Sequence, residues 1–97
     1  MTPNMTYGSP MPAASVKVAY TGTAGTTAAV SANAVAVRIV ATTDCFIEIT
    51  TAGTAAVADT GMYLPALVPE YFSCPPSAKV SAIQVSSGGT VYVTPFC

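Results

Sequence analysis

The chain has 97 residues, which is enough for one hydrophobic core but not for two. Only 7% of the residues are charged and the net charge is -1, whereas about 25% of the residues in a soluble domain are usually charged. Without a basic stripe to neutralise phosphates, we expect neither nucleic acid nor an anionic membrane as a partner.

Catalytic chemistry has little support in the sequence. The chain contains no histidine, so a Ser or Cys nucleophile would lack its usual base. The four acidic residues are separated in sequence, and the cysteines do not follow a zinc-binding pattern. We therefore expect no enzyme, no cofactor and no metal.

The N-terminal segment, residues 1–14, holds three prolines and few apolar side chains. It is predicted to be an extended arm, either ordered against a neighbouring molecule or disordered, before a single β domain over residues 15–97. It lacks the basic and apolar regions of a signal peptide. The uncharged stretch 18–37 is too rich in Thr, Gly and Ser for a transmembrane helix.

Alternation of apolar and polar residues predicts a series of short strands separated by turns. Residues 21–25 break the pattern as a loop, and 55–58 form either a short strand or a turn. Prolines bound two of the strands, which places them at sheet edges. Without an amphipathic helix, seven or eight strands predict an all-β fold, a small antiparallel β-sandwich or barrel. The predicted strands are 15–20, 34–41, 44–51, 62–64, 70–73, 79–85 and 90–94.

Segments 34–41 and 44–51 are predicted to pair as a hairpin with a three-residue loop. In the favoured register Ile39 lies opposite Ile47, and Arg38 lies opposite Glu48 as a structural ion pair. A slip by one residue would move Arg38 among aliphatic side chains, so this register is expected to be strongly specified.

Segments 79–85 and 90–94 are predicted to form a second hairpin, in which Ile83 lies opposite Tyr92. Both of its faces carry apolar residues, unlike a sheet with one solvated side. We expect another sheet of the same domain, or a neighbouring subunit, to cover the second face.

Three cysteines are an odd number, so at least one is free or bonded to another chain. Cys45 alternates with Ile47 and Ile49, and is predicted to be a buried small hydrophobic residue. Cys97 is the last residue and Cys74 precedes two prolines. These two are the candidates for an intersubunit disulfide.

The aromatic residues are interpreted as core or interface anchors rather than as a sugar-binding platform, because no convergent acidic and amide groups accompany them. Four of them are the candidate interface residues, namely Tyr63, Tyr71, Phe72 and Phe96.

Three segments carry a family resemblance between about Ser15 and Thr94: residues 37–47, residues 63–66 with 68–72, and residues 79–84. In order and spacing they resemble segments of small virion structural proteins of tailed bacteriophages. The resemblance implies a capsid decoration or cement protein, made in the host cytoplasm, which sits on the outer surface of the capsid and bridges its subunits. The implied partners are the major capsid protein and other copies of the chain, as a trimer in one alternative.

The rival interpretations are a neck or tail component and a receptor- or carbohydrate-binding module of a phage tail. A small secreted disulfide domain is a further alternative, although it would call for a signal peptide and paired cysteines.

Overall fold

Eight strands and no helix occur in residues 11–97, the part of the chain that the computed structural model describes. No segment of these residues therefore forms a helix able to cross a membrane. The strands are β1 (Val16–Tyr20), β2 (Gly25–Thr26), β3 (Ala36–Ala41), β4 (Cys45–Thr50), β5 (Met62–Leu64), β6 (Glu70–Ser73), β7 (Lys79–Gln84) and β8 (Gly89–Phe96).

The strands form two antiparallel sheets of four. The first sheet has the order β1-β8-β3-β6 and the second has the order β2-β7-β4-β5. The predicted all-β class is thus confirmed, as a sandwich rather than a barrel, and its strand order is that of a jelly roll. β5 and β6 are edge strands, as their flanking prolines predict.

One hydrophobic core lies between the sheets, and period-two alternation selects its members. In β3 the side chains of Val37 and Ile39 are buried while that of Arg38 points outward, and β8 repeats the pattern with Val91 and Val93. Cys45 is fully buried among them, which confirms its prediction as a core residue.

Both predicted hairpins are wrong, because consecutive strands cross from one sheet to the other. β3 pairs with β6 and β8, whereas β4 pairs with β5 and β7. Arg38 therefore lies opposite Tyr71 and Thr94, and Glu48 opposite Ser81. The two charged side chains point outward from opposite sheets of the sandwich. The predicted cross-strand ion pair between Arg38 and Glu48 is therefore also wrong.

The second hairpin fails in the same way. Ile83 lies opposite Phe46 in one sheet, while Tyr92 lies between Lys17 and Val40 in the other. Alternation permits either arrangement, because two strands that share a core satisfy their apolar side chains equally well side by side or face to face.

Two short segments also depart from expectation. Residues 25–26, at the end of the predicted loop, form the two-residue strand β2. Residues 55–58 form no strand and belong to the connection between β4 and β5. That connection folds over the second sheet, where the Ala56 amide donates a 2.9 Å hydrogen bond to the fully buried Ser81 hydroxyl. The chain itself thus covers part of the outer side of β7.

The predicted N-terminal arm falls partly outside the described residues, which begin at Met11. Met11 exchanges two backbone hydrogen bonds with Cys97, and the Ala13 amide donates to the Pro95 carbonyl at 2.8 Å. Residues 11–13 therefore run alongside the end of β8.

Candidate interaction surface

The outer side of the first sheet presents a group of side chains that face away from the second sheet, and no further sheet within residues 11–97 lies against them. Alternation in β1, β3, β6 and β8 sends every second side chain outward, away from the core. We call this surface the aromatic face, and its members are Lys17, Ala36, Arg38, Val40, Tyr71, Tyr92, Thr94 and Phe96.

Strand register sets the layout of the aromatic face. Arg38 lies in the middle, with Thr94 on one side and Tyr71 on the other. The rings of Tyr71 and Phe96 approach to 6.0 Å between centroids. Tyr92 occupies the neighbouring row, where the Lys17 ammonium nitrogen stands 5.9 Å from the ring centroid.

The face is exposed as well as aromatic. Tyr71 retains 65% of its accessible surface and Tyr92 retains 41%. Aromatic rings around a central arginine are the composition found at the energetic centres of protein interfaces. The arrangement is therefore suited to binding another macromolecule through this face.

The charge of the aromatic face has one sign. Its outward side chains include Lys17 and Arg38 but no carboxylate. Glu70 is the one acidic residue within the strands of this sheet, and its register opposite the buried Ile39 sends it toward the inner side, at the sheet edge. Glu48 points outward from the other sheet instead.

The predicted interface residues divide among three places. Tyr71 and Phe96 come together on the aromatic face. Phe72 turns inward and packs against the core. Tyr63 stands on the outer side of the second sheet, edge-on to Phe46 with 5.9 Å between ring centroids.

Tyr63 also belongs to a polar anchor. Asp44 accepts a 2.7 Å hydrogen bond from the Ala66 amide, and this bond, together with one from the Tyr63 hydroxyl, lowers the pKa of the Asp44 carboxyl below its ordinary value. The anchor fixes the turn after β5, while about half of the Tyr63 surface stays exposed on the second sheet.

All three cysteines carry free thiols in the structure. Cys74 and Cys97 lie at the same end of the first sheet, on either side of Val35, which bonds to Phe96 through its amide and to Cys74 through its carbonyl. Cys97 is exposed, whereas partial burial raises the pKa of the Cys74 thiol.

A cleft of about 560 Å³ opens where the edge of the second sheet approaches β6. Its walls are polar and apolar in about equal parts, and the side chains that line it include the Glu48 carboxylate and the hydroxyls of Thr60 and Ser73. In residues 11–97, no group of three or more Cys, Asp or Glu side chains is placed to hold a metal ion.

Comparisons with models of known protein families, with curated proteins and with solved structures gave no match to this chain. Of the aromatic face, sequence reasoning named Arg38, Tyr71 and Phe96 but assigned Arg38 to an ion pair. It missed Lys17 as a member, although the alternation in β1 already marks that residue as outward-facing.

Proposed function

We propose that this chain is a structural protein of a bacteriophage particle and not an enzyme. In this proposal it is a decoration or cement protein that lies on the outer surface of the capsid and bridges major capsid subunits. The observation that carries it is the aromatic face, an exposed sheet surface suited to contact with protein. The resemblance of three segments to small virion proteins of tailed bacteriophages is the reason for proposing a phage particle.

Two further features support a structural role. A charged fraction of only 7% leaves most of the exterior covered by Thr, Ser, Ala and apolar groups, which suits close packing between proteins. Jelly rolls serve in viral capsid domains, although they also serve in lectins and cupins. The fold is thus compatible with the proposal, and the aromatic face supports the structural use among these.

The test is a count of copies in purified particles. We expect quantitative mass spectrometry to find the chain in stoichiometric ratio to the major capsid protein, and electron microscopy to place it on the outer shell. A few copies per particle would assign it to the neck or tail instead. Its absence from particles would refute the virion role.

The aromatic face also favours one alternative, a carbohydrate-binding module of a phage tail, because exposed Tyr and Phe rings stack on sugars. The outward polar groups there are hydroxyls and cations rather than the acidic and amide groups that usually orient sugar hydroxyls. Binding to a glycan array that is lost in Tyr71→Ser would establish this alternative.

A further inference from the structure

The two outer sides of the sandwich differ in what covers them. Over the second sheet, the connection between β4 and β5 lies against the strands and buries Ser81 completely. Over the first sheet, no comparable segment within residues 11–97 covers Tyr71 or Tyr92, and both side chains are exposed. The aromatic face is therefore the outer side that no connection within residues 11–97 covers, although Tyr63 on the other side is also exposed.

The charges of this face indicate the chemistry of that partner. Lys17 and Arg38 would be costly to bury against apolar groups alone, because a desolvated cation requires a paired acceptor. Two copies meeting through the same face around a twofold axis would place these cations near one another, which disfavours a symmetric dimer. Two cations are also too few to follow a nucleic-acid backbone.

We propose that the aromatic face docks on a protein surface that combines carboxylates with apolar side chains, with Arg38 paired to one carboxylate at the centre of the contact. This inference rests on the proposed function, because the partner is taken to be the assembled capsid shell. The second sheet, which carries Glu48 and the covering connection, then faces away from the shell.

The size of the face indicates how it is used. Four strands of four to eight residues, spaced by about 4.8 Å, give a contact of roughly 300–400 Å². Stable protein pairs bury about 800 Å² on each partner. A single contact of this kind is weak, so assembled particles that offer many sites at once are the appropriate probe.

The experiment mixes the purified full-length chain with particles of the same phage that lack it, and measures the fraction that sediments with the particles. We expect Arg38→Glu to lower binding about tenfold or more, as at a charged interface centre, and Tyr71→Ser to lower it severalfold. The matched controls lie on the other side of the sandwich: Lys79→Glu in β7 makes the same change of charge, and Val57→Ser in the covering connection removes a similarly exposed apolar group. Circular dichroism checks that each variant is folded.

A carbodiimide, which joins an amine directly to a carboxylate, tests the predicted chemistry. We expect Lys17 to be coupled to an Asp or Glu of the shell. Coupling through Lys79 alone would overturn the orientation.

The remaining outcomes separate the two proposals. A wild-type chain that does not sediment with particles refutes the proposed function. Wild-type binding that Arg38→Glu and Tyr71→Ser leave unchanged refutes the docking face alone. Arg38-dependent self-association in analytical ultracentrifugation, or Arg38-dependent binding of a single-stranded oligonucleotide, would replace the acidic protein partner by a second copy or by nucleic acid.

Discussion

At the scale of single residues, Tyr20 shows how one hydroxyl fixes a turn between the sheets. Its side chain is 2% exposed at the end of β1. The hydroxyl donates to the Thr43 carbonyl at 2.7 Å and accepts from the Thr43 amide at 3.3 Å. Gly89 lies so close that a Cβ there would stand 2.9 Å from the hydroxyl oxygen. The first strand is thereby tied to the connection between β3 and β4.

Removing this hydroxyl should destabilise the fold. We expect Tyr20→Phe to lower the free energy of unfolding by about 1–3 kcal/mol, because the Thr43 groups lose their partner in a partly buried site. Urea unfolding followed by circular dichroism measures the change. Tyr92→Phe is the control, since Tyr92 is exposed, and equal stability of the two variants would contradict the role of Tyr20.

Asp44 gives the fold a pH dependence with a definite sign. Hydrogen bonds from the Ala66 amide and the Tyr63 hydroxyl hold the pKa of its carboxyl below the ordinary value. A carboxyl with a lowered folded-state pKa stabilises the fold above its unfolded-state pKa, and this contribution is lost as the pH falls through the folded-state pKa. The loss should therefore occur below about pH 4.

Asp44→Asn isolates this effect, because the amide keeps an oxygen that can accept from the Ala66 amide but does not titrate. We expect the wild type to be more stable than the variant near neutral pH, and the difference to shrink in acid. Denaturant unfolding at several pH values between about 2 and 6 measures it. If the difference in the free energy of unfolding between wild type and variant stays constant with pH, the Asp44 charge does not contribute to stability.

At the scale of elements, strand order determines which cysteines can meet. β3 lies between β6, which leads into Cys74, and β8, which ends next to Cys97. Strands on either side of a third are about 9.6 Å apart, whereas a disulfide requires Cα atoms within about 7 Å. At that spacing a bond between Cys74 and Cys97 of one chain would require the strand ends to shift, although the Cys97 thiol is near enough to add to the raised pKa of the Cys74 thiol.

We therefore expect oxidation to link separate chains through Cys97, the exposed thiol. Cys97→Ser should abolish disulfide-linked dimers on a non-reducing gel. Cys74→Ser should leave them, because the raised pKa of the Cys74 thiol reduces the reactive thiolate. Monomers alone after full oxidation, with thiols still titratable, would eliminate intersubunit bonding.

The elements themselves were largely predictable, while their partners were not. Apolar patterns located five of the eight strands, and brief extended runs beside prolines located β5 and β6 and correctly placed them at edges. Pairing failed because Val37 and Ile39 require only a core on their inner side, which a facing strand supplies as well as an adjacent one. The connection after β3 is short, yet three residues can span the roughly 10 Å between sheets.

The same limit applies to the aromatic face. Alternation marks Lys17, Arg38, Tyr71 and Tyr92 as outward-facing, each within its own strand. Their assembly into one surface depends on the order β1-β8-β3-β6, in which every neighbour is distant in sequence. Such an order follows from long-range packing rather than from local pattern, so the face could not be assembled from the sequence.

At the scale of the whole molecule, the jelly roll makes almost every sheet contact a long-range one. Within residues 11–97, β4 and β5 are the only two strands that follow each other in the sequence and are also neighbours in a sheet. β1 pairs with β8, so that Val16 and Val93, which are separated by most of the chain, lie opposite each other. Loop closure of this length costs entropy before the contacts it permits can form.

This topology predicts slow folding. We expect refolding after rapid dilution from urea to take milliseconds to seconds, as in other sandwiches dominated by non-local pairing. Stopped-flow measurement of the intrinsic tyrosine fluorescence would record it, since the chain has five tyrosines and no tryptophan. β8 pairs with both β1 and β3, and Val93 lies in its buried part. Val93→Ala should therefore destabilise the fold by about 1–3 kcal/mol. The same variant should slow refolding if β8 is already paired in the transition state. Complete refolding within microseconds would show that local structure, and not the pairing of distant strands, limits the rate.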